Sequence, residues 1–343
     1  MTTLPATRVP DTIEAPAIRW GILAPGGIAT SWTEALHETT ASRVVAVGSR
    51  SLERGQEFAR RFGIARAYGD YESLVGDTEV DAIYVASPHS HHRDHALLAL
   101  SAGKPILVEK AFTRSAAEAI EVIQAARSRG LLVVEAMWTR FLPHIDVVRR
   151  ALEEGILGDI IAVEADHGQL LYPDGPQRLA DPNLAGGALL DLAIYPVSFA
   201  HFVLGGFSAV QATGTLVETG VDGSETIGVT SPTGAIGTLS STMLAKTPTS
   251  ASIAGTAGRI FIDHTFYRPT TTVRLVDNTE QEIDRYDPPR RDHGLAYEAA
   301  EFARLLVDGK TESDLLPLDE TVRIMQVLDD VRHQLGVRFP GEE

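Results

Sequence analysis

The sequence predicts an α/β domain built on a doubly wound parallel sheet, followed by an α+β domain with a mixed or antiparallel open sheet. Three observations support this fold class. A short apolar strand enters a helix through small residues at 18–29, strands and helices alternate up to about residue 136, and a different pattern begins after Met137. With 343 residues, 44% of them hydrophobic, the chain can form two cores.

The first strand and its turn read Ile-Arg-Trp-Gly-Ile-Leu-Ala-Pro-Gly-Gly-Ile-Ala, residues 18–29. Ala24, Gly26 and Ala29 fit the dinucleotide fingerprint G-x-G-x-x-G/A, whose middle glycine lets the backbone approach a pyrophosphate. Because alanine replaces the first glycine, a tight turn without a cofactor is the alternative interpretation. The predicted cofactor contacts of this turn are Ala24, Pro25, Gly26, Gly27 and Ile28.

Alternation of strands and helices continues through the first domain, which indicates a parallel sheet with ligands at the carboxyl ends of its strands. A capping box formed by Ser115 and Glu118 opens one helix, and Gly130 ends it. The further predicted elements are a strand at 43–47, a helix ending at 62, a strand at 81–87, a helix at 90–102, a strand at 105–108 and a strand at 131–135.

After residue 137 the strands become alternating and rich in Thr, Val and Gly, which predicts an antiparallel meander. The predicted strands lie at 160–166, 209–218, 225–230, 235–244, 252–262, 271–276 and 282–286. Hairpin turns are predicted at 221–224 and 231–234, and helices at 144–154, 295–307 and 319–335. The apolar stretch 186–207 is predicted to be a buried helix rather than a membrane span, because Asp191, Tyr195, Pro196 and His201 interrupt it.

Composition excludes several classes of function. A net charge of −16 argues against a nucleic-acid or anionic membrane partner, and the absence of cysteine excludes disulfides, thiolate nucleophiles and cysteine metal sites. The same absence fits a reducing cytoplasm. The predicted domains are a flexible tail at 1–17, a dinucleotide-binding domain at 18–137 and a substrate-binding and dimerisation domain at 138–343, whose last helix can pack back on the first.

The end of the second predicted strand bears on the choice of coenzyme. Ser49 and Arg50 stand where an NAD-specific site places an acid, and a guanidinium is suited to a 2′-phosphate. The sequence therefore favours NADP, with NAD as the alternative. Arg54 is also predicted to contact the cofactor. The alternative interpretation is that Arg50 is a capping or solvent-facing residue of the loop with no role in cofactor binding.

Three further groups could carry chemistry. Glu109 and Lys110 follow the strand 105–108 at the carboxyl edge of the sheet, where a lysine needs an anionic partner or an electrostatic task. Asp191 and Tyr195 would lie one turn apart on a helix, with capping of that helix as the alternative interpretation. The histidines His89, His91, His92 and His95 suggest a metal, but no carboxylate or cysteine cluster accompanies them, so solvated or packing roles are favoured.

On the basis of these groups, the chain is identified as resembling the glucose-fructose oxidoreductase, inositol dehydrogenase and rhizopine catabolism (Gfo/Idh/MocA) family from residue 18 to 342. Residues 103–110, Gly-Lys-Pro-Ile-Leu-Val-Glu-Lys, resemble the family's Glu-Lys-Pro signature, with Ala111 in place of the proline. Ser87 and Pro88 with His92 resemble its cofactor-flanking loop. The segments 135–141, 189–196 and 317–321 are similar to the branch of dimeric dihydrodiol and NADP-linked D-xylose dehydrogenases.

The resemblance implies an N-terminal Rossmann domain and hydride transfer at a hydroxyl-bearing carbon of a sugar, polyol or cyclic diol, without a metal. It also implies a homo-oligomer, dimer or tetramer, formed through the C-terminal sheet. We expect Tyr195 and Lys110 to form the proton-transfer pair, Asp191 to orient Lys110 or substrate, and Trp138 to form a wall of the substrate site. The remaining predicted cofactor contacts are Ser87, Pro88, His89, His92, Glu109, Lys110, Trp138 and Arg140. A keto-sugar, carbonyl or imine reductase and a non-catalytic dinucleotide-binding regulator are the alternatives.

Overall fold

The computed structural model describes residues 3–288 and 294–341, which separate into two compact units. Residues 10–141 and 294–325 form one unit, called here the Rossmann unit. Residues 3–9, 142–288 and 326–341 form the other, called the sheet unit. Each unit is built around one of the two predicted sheets.

The described part of the Rossmann unit has a six-stranded parallel sheet in the order β3-β2-β1-β4-β5-β6. Chain order reverses between β1 and β4, and ligands of such sheets bind at the carboxyl ends beside this point. Two short elements, β3 and α3, were not predicted. The bounds are β1 Arg19–Leu23, α1 Gly27–Thr39, β2 Arg43–Gly48, α2 Leu52–Phe62, β3 Arg66–Tyr68, α3 Tyr71–Val75, β4 Ala82–Val85, α4 His89–Ser101, β5 Ile106–Glu109, α5 Ala116–Arg129 and β6 Val133–Ala136.

Aromatic packing joins the first strand of this unit to its helices. Trp20 meets Trp32 edge to face with ring centroids 5.0 Å apart, and Trp32 stacks on Tyr84 at 4.3 Å. Trp20 also packs 4.8 Å from Phe302, which belongs to a helix far along the chain. All four rings are almost completely buried, and such pairs add about 0.5–1.5 kcal/mol each beyond their burial. They fix α1 and the later helix around β1.

The predicted N-cap of α5 at Ser115 is confirmed, but the Glu118 carboxylate bonds the residue before the cap, not Ser115 as a capping box requires. The Ser115 hydroxyl accepts the N–H of Glu118 at 3.4 Å, and the Glu118 carboxylate accepts the N–H of Arg114 at 3.1 Å. Gly130 ends the helix with a φ of 63°. Both ends of α5 are therefore satisfied by local side chains and a left-handed residue, as the sequence predicts.

A buried acid makes the stability of the Rossmann unit depend on pH. Glu135 on β6 is 2% exposed and accepts the Thr321 hydroxyl at 2.8 Å, while burial raises its pKa from 4.5 to about 7. The unfolded chain gives up this proton near pH 4.5, but the folded chain keeps it until about pH 7. Unfolding free energy therefore falls by about 3 kcal/mol as pH rises through this window.

We expect Glu135→Gln to remove this contribution to the pH dependence. The free energy of unfolding, measured in urea at pH 5 and pH 8, should differ by about 3 kcal/mol less in the variant than in the parent protein. Glu57→Gln, at an exposed position of α2, is the matched control and should keep the parent's difference. An unchanged pH dependence in Glu135→Gln would show that Glu135 is ionised in the fold at neutral pH.

The described part of the sheet unit has eight strands in the order β14-β13-β12-β11-β7-β10-β9-β8. Neighbours are antiparallel except β7 and β10, which are parallel because the chain crosses back through a helix between them. The predicted meander was therefore wrong at this pair. The bounds are α6 Pro143–Glu153, β7 Ile160–Gly168, α7 Ile194–Leu204, β8 Ala209–Leu216, β9 Asp222–Thr230, β10 Ile236–Thr242, β11 Ala251–Gly255, β12 Arg259–Ile262, β13 Val273–Val276 and β14 Glu282–Tyr286.

The two predicted hairpin turns have different outcomes. Residues 231–234 form the turn between β9 and β10, where the N–H of Gly234 bonds the carbonyl of Ser231 at 3.1 Å. The turn predicted at 221–224 was wrong, because β9 already begins at Asp222. The chain reverses just before it, at 217–220, where Gly220 adopts a φ of 88° that favours glycine.

Two closing helices follow, α8 Leu295–Val307 and α9 Leu318–Leu335, close to their predicted bounds. The N-terminal residues make contacts that the prediction of a flexible tail did not foresee. The backbone N–H of Arg8 bonds Asp146 at 2.6 Å, and Thr12 donates its hydroxyl to the carbonyl of Thr39 at 2.9 Å. These contacts hold residues 3–9 within the sheet unit and residues 10–17 within the Rossmann unit.

Candidate active site

The glycine turn lies between β1 and α1, at the carboxyl edge of the Rossmann sheet. Gly26 is the residue before α1. Because it has no side chain, it caps none of the first N–H groups of that helix. A Cβ added to Gly26 or Gly27 would meet no protein atom within 4 Å, so packing does not explain either glycine. Open space in front of free helix N–H groups suits the close approach of a phosphate.

Ala24 occupies the first fingerprint position with a φ of 70°, in the left-handed region that favours glycine. Its N–H bonds the carbonyl of Gly48, which joins the turn to the end of β2. Ala29, at the third position, is fully buried, as close packing of α1 on the sheet requires. The turn thus keeps a left-handed residue at the first fingerprint position although alanine has replaced the glycine there.

A cavity of about 300 Å³ lies beside this turn, entirely within the Rossmann unit. Most of its lining residues, Arg50 and Arg54 among them, are predicted cofactor contacts, whereas Ser51, Tyr71 and Ala86 were not predicted. Arg50 and Arg54 are both exposed, so their guanidinium groups can meet an anion. The lining residues are Ala24, Pro25, Gly26, Ser49, Arg50, Ser51, Arg54, Tyr71, Ala86 and Pro88.

Lys110 directly follows β5, at the same edge of the sheet as the glycine turn. Glu109 is buried, accepts the hydroxyl of Tyr84 on the neighbouring strand, and accepts the backbone N–H of Lys110 at 3.2 Å. The peptide between Lys110 and Ala111 is cis, at the position where the family signature has proline. Glu109 and the strand end therefore fix the backbone from which the Lys110 side chain extends.

Histidines at the start of α4 hold the same segment. His92 is completely buried and places Nδ1 at 2.9 Å from the carbonyl of Ala111 and Nε2 at 2.7 Å from that of Ser87. Burial lowers the pKa of His92 to about 4, which opposes the doubly protonated ring that could donate to both carbonyls. His89 lies 3.3 Å from the carbonyl of Lys110. These rings link the loop after β4 to the Lys110 segment.

The other predicted contacts of the Rossmann unit lie in the turn Trp138–Phe141. Trp138 is half-buried there. The guanidinium of Arg140 is buried, bonds Glu320 at 2.9 and 3.0 Å, and donates to the carbonyl of Leu315 at 3.2 Å. The predicted cofactor contact of Arg140 stays a prediction, and the structure gives this side chain a partner within the unit.

In the sheet unit, Asp191 and Tyr195 lie on a helix that begins with a π-turn, Leu189–Ala193, where the sequence predicts a regular helix. π-Turns inside helices are frequent at functional sites. Asp191 pairs with Arg178 at 3.0 Å and is mostly buried, whereas the Arg178 side chain is 41% exposed. The segment is thus an apolar helix start that presents one carboxylate and one phenol.

Two aromatic residues surround the Tyr195 ring, and the sequence analysis missed both. His167 packs edge to face on Tyr195 at 5.0 Å, and Tyr267 packs on it at 4.6 Å. Gln169 donates to His167 Nε2 at 2.9 Å. No local signal marks these residues, because they come from β7 and from a loop distant in sequence.

A buried aspartate anchors the start of the π-turn. Asp222 accepts the N–H of Leu189 at 2.5 Å, and a Cβ at Gly187 would lie 2.2 Å from its carboxylate oxygen. Gly187 therefore makes room for this contact, and its φ of 114° also requires glycine. Burial raises the pKa of Asp222, while the backbone N–H of Leu189 lowers it.

Family models match both parts of the chain. Residues 18–137 match the oxidoreductase family with an NAD-binding Rossmann fold, and residues 145–261 match the GFO/IDH/MocA C-terminal domain. The trans-1,2-dihydrobenzene-1,2-diol dehydrogenases of Bos taurus and Homo sapiens are each 36% identical over 337 residues, 95% of this chain and 99% of theirs. The chain belongs to the GFO/IDH/MocA oxidoreductase family. The predicted resemblance to the dihydrodiol dehydrogenase branch is confirmed.

Solved structures share the GFO/IDH/MocA fold with this chain. A 3-ketoreductase from Actinomadura kijaniata, solved with NADP and TDP-benzene, is 26% identical with a TM-score of 0.82, covering 93% of this chain and 98% of its own. An aldose-aldose oxidoreductase from Caulobacter crescentus has a TM-score of 0.85 at 21% identity, covering 93% and 97%. As a family member, this chain is an NAD(P)-binding oxidoreductase, so the predicted class of cofactor and enzyme is confirmed.

One apolar stretch of the chain meets the length and composition of a membrane span but is buried. Among the described residues, Pro182–Leu204 is the one helical stretch long and apolar enough to cross a membrane by length and composition. Its most apolar window is 94% buried inside the protein, as in the core helix of a soluble domain. The prediction of a buried helix rather than a membrane span agrees with this burial.

Proposed function

We propose that this chain is an NADP-linked dehydrogenase that transfers a hydride between the nicotinamide and a hydroxyl-bearing carbon of a sugar, polyol or cyclic diol. The observation that carries the proposal is the buried π-turn that presents Asp191 and Tyr195 in a chain 36% identical to diol dehydrogenases. When bound, the nicotinamide supplies the hydride acceptor or donor. The residues of this chain bind the coenzyme, orient the substrate and exchange the proton of the reacting hydroxyl.

Tyr195 acts on the proton of the reacting hydroxyl. A phenol has an ordinary pKa near 10, so it serves as a base at neutral pH only when a nearby cation favours its anion. Lys110 supplies that positive charge and stabilises the developing alkoxide. Asp191 orients Lys110 or a substrate hydroxyl, and Trp138 forms an apolar wall for the substrate ring.

The cavity beside the glycine turn supports the preference for NADP. Arg50 and Arg54 line it with no carboxylate among the lining residues, and a 2′-phosphate would pair with a guanidinium. The N–H groups at the start of α1 would hold the pyrophosphate. Ser87, Pro88, His89, His92 and Glu109 would flank the nicotinamide.

We expect Arg50→Ala to raise the KM for NADP by about 10- to 100-fold, since a hydrogen bond to a charged group contributes about 1.5–3 kcal/mol. The KM for NAD should stay unchanged, because NAD lacks the 2′-phosphate. Arg60→Ala, an exposed arginine on α2 outside the cavity, is the matched control. Equal losses with NAD and NADP would show that Arg50 does not read the phosphate.

The assembly and location are also proposed. One face of the sheet leaves Ile236 on β10 55% exposed and Thr238, two residues further along the same face, exposed as well, and this face would form a dimer or tetramer. A cytoplasmic location fits a chain with no cysteine.

A substrate panel tests the proposed function. Sugars, polyols and cyclic diols are offered with NADP and with NAD, and ketones and keto-sugars are offered with NADPH. Reduction of NADP by a hydroxyl compound is the expected result. Faster oxidation of NADPH by ketones would favour the reductase, and tight coenzyme binding without turnover of any compound would favour the non-catalytic regulator.

A further inference from the structure

The π-turn Leu189–Ala193 contains a backbone carbonyl, that of Leu192, which cannot make its regular helical hydrogen bond. In a regular helix the carbonyl of Leu192 would accept the N–H of the residue four positions later, which is Pro196 and has no N–H. Instead the helix widens, and the N–H of Ile194 reaches the carbonyl of Leu189, five residues back, and lies near that of Leu192. Pro196 thus removes the regular helical donor of the buried Leu192 carbonyl.

His167 supplies a donor to this carbonyl from the neighbouring sheet. It lies on β7, is 1% exposed, and places Nδ1 3.1 Å from the carbonyl oxygen of Leu192. A carbonyl only accepts, so Nδ1 carries the proton. The amide nitrogen of Gln169 donates to Nε2 at 2.9 Å, which fixes the neutral ring in that tautomer.

The same ring also restrains the Tyr195 phenol. His167 meets Tyr195 edge to face at 5.0 Å with an interplanar angle of 80°, and lies 4.6 Å from Tyr267. Tyr267 in turn packs 4.6 Å from Tyr195. The three rings therefore form a cluster that packs against two sides of the Tyr195 ring and restrains it.

The π-turn is consequently attached to the sheet at both ends. Asp222 on β9 accepts the first N–H of the turn, from Leu189, and His167 on β7 donates to a carbonyl near its end, that of Leu192. Asp191 lies between the two attachments. A rigid support of this kind is what holds a reacting group in a productive geometry.

We propose that His167 is a positioning residue, which fixes the π-turn through Leu192 and sets the orientation of Tyr195 for proton transfer. The part of this inference that concerns turnover rests on the proposed function of Tyr195. The attachment of the π-turn to β7 does not depend on that function.

Two variants of His167 separate its hydrogen bond from its ring. His167→Phe keeps a ring against Tyr195 and Tyr267 but cannot donate to Leu192. His167→Asn loses the ring, but its side-chain N–H can take the place of Nδ1. Each is measured by amide hydrogen exchange of residues 189–195 without ligands, and by kcat and KM in the parent and Tyr195→Phe backgrounds.

We expect His167→Phe to speed exchange in residues 189–195 by about tenfold or more, and His167→Asn to restore protection. The kcat of His167→Phe should fall by about 10- to 100-fold with little change in KM, and its effect should vanish in the Tyr195→Phe background. Parent-like exchange and kcat in His167→Phe, with losses in His167→Asn, would overturn the proposal.

The exchange data keep the two hypotheses apart. If no hydroxyl compound is turned over by the parent protein, the proposed function fails, yet faster exchange in His167→Phe still supports the attachment. If the parent turns over substrate but exchange in His167→Phe is unchanged, the positioning role of His167 is wrong and the proposed function stands.

Discussion

Replacing Lys110 with methionine should lower kcat for the best hydroxyl substrate by at least about 100-fold, or about 2.7 kcal/mol of barrier. Methionine keeps the length and apolar stem of the side chain but removes the ammonium, which we propose stabilises the developing alkoxide. Coenzyme affinity, measured by titration, should change far less, because the turn that would hold the pyrophosphate is intact. Steady-state kinetics across the substrate panel gives the kcat values.

The control for this variant is Lys310→Met, which removes an exposed lysine of the same unit just after α8. It should retain the parent's kcat and stability. If Lys110→Met instead keeps turnover within about tenfold of the parent, less than about 1.4 kcal/mol of barrier, the role assigned to Lys110 is wrong.

Tyr195→Phe should lower kcat by about 100- to 1,000-fold, the usual contribution of a positioned acid or base. The ring remains, so the packing against His167 and Tyr267 is kept and only the hydroxyl is lost. If Tyr195 is the base, as proposed, the dependence of kcat/KM on pH should differ between parent and variant, because only the parent has the hydroxyl that would exchange the proton. Rate measurements over a pH series in both proteins test this.

Tyr286→Phe is the matched control for the phenol. Tyr286 lies on β14 of the same unit, and its hydroxyl is buried with no hydrogen-bond partner among the described residues. Removing it should leave kcat and the pH profile unchanged. A Tyr195→Phe protein with the parent's kcat and pH profile would assign the proton transfer to another group.

Local signals explain why much of the fold could be predicted from the sequence. The Ser115 helix cap, the Gly130 helix end and the small residues around Gly26 each act over a few positions. β3 escaped notice because three residues, Arg66–Tyr68, carry no apolar run. The parallel pairing of β7 with β10 depends on contacts about 75 residues apart, which no local pattern records.

Some residues of the candidate site could likewise be predicted from local motifs, whereas others could not. Lys110, Asp191 and Tyr195 stand in recognisable motifs, so the sequence could single them out. His167 and Tyr267 reach Tyr195 only through the tertiary fold. One signal for the π-turn was present in the sequence, since Pro196 removes the helical donor of Leu192, but a proline near a helix start is usually read as an ordinary first turn.

The most direct test of hydride transfer uses a substrate from the panel that carries deuterium on the carbon bearing the reacting hydroxyl. After incubation with the protein and NADP, proton NMR of the reduced coenzyme shows whether the label has moved. Stereospecific transfer of deuterium to the nicotinamide is the predicted result. Coenzyme reduced without the label, or no reduction with any labelled hydroxyl compound while NADP binds, would contradict the account.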